Sequence, residues 1–80
     1  MTNFREYDVV RVTQLLTPER PYLGGDGINR PPRVGDQGII VDIPASADSG
    51  CIVECLDSNG ATIWLADFSY AELQLVQAAK

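Results

Sequence analysis

A chain of 80 residues has room for one domain and one small core, which buries about 60–65% of the surface the unfolded chain exposes. Apolar residues make up 45% of it, too many for disorder, and no apolar run approaches the roughly 18 residues of a membrane span. The formal charge of −5 is unevenly spread: residues 1–35 carry five arginines against four acids, and residues 36–80 carry seven acids against Lys80 alone. Such a surface repels phosphate backbones, so no nucleic-acid partner is expected. It reads either as a solvated face that keeps a small protein in solution or as a docking face for a basic partner. Met1-Thr2-Asn3-Phe4-Arg5-Glu6 lacks the basic-then-apolar order of a signal peptide, and a cytoplasmic location is expected.

Residues 7–12 alternate apolar and polar side chains with β-branched valines, which predicts a first strand. Residues 17–34 then show no period. Four prolines and three glycines mark a long irregular loop, and a stretch of that length in so small a domain is either functional or mobile. Residues 37–43 read as a second strand ended by Pro44, residues 45–50 as a polar turn, and residues 51–56 as a third strand. Asp57-Ser58-Asn59-Gly60 predicts a type I′ hairpin, because Asn-Gly accepts two positive φ angles. A fourth strand over 61–66 follows. The hairpin fixes parity: a loop of two or four residues puts Val53 and Cys55 on one face with Trp64, a loop of three reverses it, and an even loop is expected. Ser69 and Glu72 have capping-box spacing for one short helical turn, and residues 73–76 return as a fifth strand.

Five short strands are too few for a two-sheet sandwich, so the expected fold is all-β, a small bent barrel or half-open roll that hides its edges. Val10, Val12, Ile40, Val53 and Trp64 are its expected core. Gly35 serves as a turn residue, and Gly38, at the head of a strand, suits a close backbone approach.

The chemistry-bearing residues exclude more than they assign. Cys51 and Cys55 lie about 13 Å apart along one strand face, beyond the roughly 7 Å a disulfide allows between α-carbons. With no histidine and no other thiol, a metal site is not expected, and the pair reads as buried, reduced core residues. The missing histidine also removes the usual general base, so no catalytic residue is assigned and no enzyme is expected. Leu23-Gly24-Gly25-Asp26-Gly27 has neither the Lys-Ser/Thr nor the helix of a phosphate cradle, and Asp26 with Asn29 falls short of a calcium loop. No cofactor is implied.

Tyr7-Asp8-Val9-Val10, the run from Val34 to Ile43 with its Gly-x-x-Gly turn, Val53-Glu54-Cys55-Leu56-Asp57 with Asn59-Gly60, and Glu72-Leu73 occur in that order. The pattern, spanning residues 7–76 in pieces, resembles a small bacterial family catalogued as domain of unknown function 4926. Its members are similar to SH3-like barrels, and the layout is shared more loosely by a small barrel protein of photosystem I and by the variable chain of ferredoxin–thioredoxin reductase. The resemblance implies a small SH3-like barrel of about five antiparallel strands and assigns no activity, while its looser likeness to subunits of larger complexes is in keeping with an accessory subunit. Cys55 stands where the family tends to have phenylalanine, and the 17–34 loop is longer than the family's.

The expected function is that of a non-catalytic protein-interaction module or accessory subunit, with self-association as a further possibility. The alternatives are an antitoxin- or immunity-like partner protein and, against the charge, a KOW- or Tudor-like nucleic-acid-binding barrel. Arg20, Tyr22, Arg30 and Arg33 in the long loop are the candidate binding residues toward a protein partner. The three arginines are expected to be exposed and to contribute little to folding.

Overall fold

Strands form where the sequence alternates: β1 (Val9–Val12), β2 (Gln37–Asp42), β3 (Gly50–Leu56), β4 (Thr62–Ser69) and β5 (Leu73–Gln77), with a single 3-10 turn, Tyr70–Glu72, between the last two. The computed structural model describes residues 4–25, 29–44 and 50–79. Most of the turn expected at 45–50, together with Asp26 and Gly27, lies outside the described residues. All pairings are antiparallel, in the order β4-β3-β2-β1-β5. β5 therefore returns to the free side of β1, and the expected five antiparallel strands form one sheet. The 3-10 turn joins the two edge strands where no ladder runs between them.

The five residues expected in the core are all essentially shut off from water, and Cys51, Cys55, Ala66 and Phe68 pack with them. Both cysteines are free thiols. Burial, with a smaller contribution from Asp67, pushes the Cys51 thiol up to about 12, and burial likewise raises that of Cys55. Neither is a ready nucleophile at neutral pH.

The structure departs from expectation in three places. β1 begins at Val9 rather than residue 7, because Tyr7 takes a left-handed conformation (φ 73°) that breaks the extended run. β4 runs on to Ser69, as Asp67 and Phe68 continue its out–in alternation. The hairpin loop is odd, not even. Asp57 pairs with Ala61 across Ser58, Asn59 and Gly60, with Asp57 N–H donating to the Ala61 carbonyl at 2.9 Å. The Asp57 carboxylate accepts from the N–H groups of Asn59 and Ala61, and only Gly60 adopts a positive φ, at 85°. That side-chain cap replaces the type I′ turn. Trp64 nevertheless faces Cys55, because the register shifts between the Leu56–Thr62 and Cys55–Trp64 pairs. The extra residue, Ile63, restores the face that the odd loop reverses, and so Ile63 and Trp64 are buried in succession.

At Gly38 the neighbouring strand comes close, as expected. A β-carbon there would lie 2.7 Å from the Glu54 carbonyl oxygen and 2.7 Å from Val53 Cγ1. Backbone on one side and core on the other leave no room to yield. Gly38→Ala should lower the unfolding free energy by about 1–3 kcal/mol and Gly38→Val should abolish folding. Urea titration followed by Trp64 fluorescence checks it, and an unchanged midpoint for Gly38→Ala would contradict the close approach.

Candidate protein-binding surface

The period-free sequence between β1 and β2 predicts a loop without fixed partners; in the described residues this connection is fastened at both ends by an arginine. At the first end, residues 17–20 turn back so that Arg20 N–H and Nε–H meet the Thr17 carbonyl oxygen. The guanidinium then enters the barrel end and pairs with both oxygens of Glu72, which lies 52 residues away. It also donates to the Asp67 carbonyl and lies 4.0 Å above the Phe68 ring. Arg20 is only 8% exposed and Glu72 only 2%. At the second end, Arg30 grips Asp36 with two bonds of 2.8 and 2.9 Å, while Arg33 N–H and Trp64 Nε1 donate to the same carboxylate.

The electrostatics follow from these contacts. Burial alone raises both carboxyl groups. For Asp36, the bonds from Arg30, Trp64 and Arg33 outweigh burial and leave its carboxyl below the ordinary range. For Glu72, Arg20 and the N–H groups of Ser69 and Leu16 do the same. The Ser69–Glu72 contact is the reach-back arm of the expected capping box, Ser69 N–H donating to Glu72 Oε1 at 3.0 Å.

Between the two fastenings the chain lies along the outer edge of β4. Leu23 and Leu65 exchange backbone bonds of 2.9 and 2.8 Å, and Gly25 N–H donates to the Thr62 carbonyl. This short added strand covers the edge of β4 and walls a shallow cleft of about 220 Å³. Pro21, Tyr22 and Leu23 form one side, and Ile52, Leu65, Ala66 and Asp67 the other. Ile52 lies between two exposed acids, paired with Asp42 on β2 and Asp67 on β4. Glu54, two residues along the same face, lies between Ile39 and Leu65. Among the described residues, Asp42, Glu54 and Asp67 form no salt bridge. The face is apolar in relief and anionic at its border.

The four candidate residues therefore separate. Arg20 is buried and spent on Glu72, Arg30 is half-buried and spent on Asp36, and the expectation that both are exposed is corrected. Each replaces water with a carboxylate of its own chain. Arg33 is exposed and engages Asp36 through its backbone N–H. Tyr22, 37% exposed, lines the cleft. Sequence reasoning missed Ile52, Leu65 and Asp67. The signal was the continuous apolar runs Cys51-Ile52-Val53 and Ile63-Trp64-Leu65-Ala66, which place apolar side chains on both faces of β3 and β4. Among the described residues, no His, Cys, Asp or Glu cluster is arranged as metal ligands would be, and no helix is long and apolar enough to cross a membrane. Protein-family models, curated proteins and solved structures offer no match to the chain.

Removing one partner of a buried pair strands the other's charge. Arg20→Ala should therefore cost about 3–5 kcal/mol of stability. Arg33→Ala should change it by less than about 0.5 kcal/mol. Equal urea midpoints for the two variants would contradict the pairing.

A second expectation concerns acid. Asp36 and Glu72 have folded-state pKa values below their unfolded values, so the unfolded chain binds more protons as pH falls. Their contribution is complete above the ordinary carboxylate range and is lost as pH drops through the lowered values. Stability measured against pH should fall on the acid side of that range, and Asp36→Asn should flatten the slope. A slope identical to wild type would contradict it.

Proposed function

We propose that this chain is a non-catalytic protein-interaction module or accessory subunit, and that its cleft between residues 21–23 and β3–β4 receives a basic, partly apolar segment of a partner protein. The observation that carries the reading is the cleft itself: Ile52 and Leu65 offer an apolar floor and Asp67 a carboxylate at its wall, with Asp42 beside Ile52 and Glu54 beside Leu65 on the neighbouring strands; none of the three forms a salt bridge among the described residues. A lysine or arginine side chain suits that surface, its aliphatic stem on Ile52 and its charged head toward Asp67 or Asp42. Tyr22 adds an aromatic face beside the same path. The looser resemblance to small subunits of photosystem I and of ferredoxin–thioredoxin reductase is in keeping with an accessory subunit. The same carboxylates disfavour the nucleic-acid reading.

The test uses peptides of defined charge. A peptide alternating arginine and leucine, titrated into the labelled protein, should shift the resonances of Tyr22, Ile52 and Leu65, weaken with added salt, and lose its effect in Asp67→Lys. The matching glutamate–leucine peptide should leave the spectrum unchanged. Shifts confined to other surfaces, or none with the basic peptide, would overturn the assignment.

A further inference from the structure

The two edges of the sheet are treated differently. The β4 edge is occupied by the Leu23 segment, whereas β5 pairs with β1 on one side only. Natural edge strands are protected by charge, proline or a cover. β5 carries none of these within its own length: Leu73-Gln74-Leu75-Val76-Gln77 holds no charge and no proline, and it is the one strand of the five without an ionisable side chain.

Hydrogen-bond parity shows what the free edge offers. Thr13 N–H donates to the Glu72 carbonyl at 2.8 Å, so Arg11 and Gln74, two residues on, form the next bonded pair of the ladder. Leu73 and Leu75 then turn their backbone groups to the opposite side. The Leu73 N–H is taken by the Tyr70 carbonyl. By the same alternation the backbone groups of Leu75 face outward, at the last pair before the ladder shifts register between Val10 and Val9. The side chain of Leu75 is equally unfinished. It pairs with wholly buried Val10 and so lies on the core side of the sheet, yet it is 45% exposed.

We infer that the β5 edge pairs antiparallel with β5 of a second copy, about a two-fold axis at Leu75, extending the sheet across both chains. Leu75 meets the partner's Leu75 as a bonded pair, and each covers the other's exposed core-side surface. The occupant is a second copy because a two-fold axis sets the edge against itself: β5 is uncharged and complementary to itself in this register, so two chains of net charge −5 meet there without opposing like charges.

Sedimentation of the full chain across a concentration series should show a monomer–dimer equilibrium, and Leu75→Lys should shift it fully to monomer without changing the circular dichroism spectrum. Should Leu75→Lys fail to fold, a cross-linking variant decides. Bonded pairs place α-carbons about 5.5 Å apart, within disulfide range. Leu75→Cys should therefore give a covalent dimer on mild oxidation, whereas Ser58→Cys at the distal hairpin and the wild type, with its buried thiols, should not. A chain monomeric at every concentration, a dimer that survives Leu75→Lys, or cross-linking equally strong through Ser58→Cys would each overturn the inference.

Discussion

A carboxylate almost shut off from water must gather donors, and Glu72 takes them from distant parts of the chain. Arg20 and Leu16 come from the long connection, Ser69 from the end of β4, and Glu72 itself opens into β5. The guanidinium that answers it sits on Phe68, and Phe68 packs on Trp64 with ring centres 5.3 Å apart. One ion pair thus ties the connection, the corner between the edge strands and the aromatic core into a single unit. The pair is costly to bury, and that cost is offset only while both partners and their further hydrogen bonds are present. Fastening therefore makes the barrel end all-or-none.

Asp36 repeats the device at the other end of the connection, with Trp64 Nε1 supplying the link to the core. Because both ends are fixed, residues 21–25 lie against β4, and the cleft acquires its second wall. The proposed binding surface thus depends on packing through charge. Arg20 and Arg30, which looked available to a partner, are taken up by Glu72 and Asp36, and the segment between them that holds Tyr22 and Leu23 walls the apolar cleft bordered by Asp67. The same division explains the edges: the segment held by Arg20 covers β4, while nothing among the described residues pairs with the far side of β5.

Alternation made β1 legible from sequence, and short β-branched apolar runs bounded by Gly, Pro and Asn made β2 and β3 legible, with Val10, Ile40 and Val53 among the residues that face inward. Gly38 was legible too, as a strand residue with no side chain to pack. Ser69 and Glu72 were legible because a capping box is a local spacing. The Arg20–Glu72 pair was not, since no local signal links residues 52 positions apart, and an arginine among prolines and glycines looks like any solvated loop residue. The odd hairpin was hidden by two compensating features, the Asp57 cap and the Ile63 bulge, which together leave Trp64 where an even loop would have put it. The cleft was hidden because one wall is the loop itself.

The central claim is that the buried arginine–carboxylate pair makes the connection part of the sheet. Amide hydrogen exchange at Leu23 and Gly25, in the wild type and in Arg20→Met, tests it most directly. Both amides should be protected in the wild type alongside those of β4, and both should lose protection in Arg20→Met ahead of the β2 and β3 amides. Free exchange at Leu23 in the wild type, or unchanged protection without the guanidinium, would contradict it.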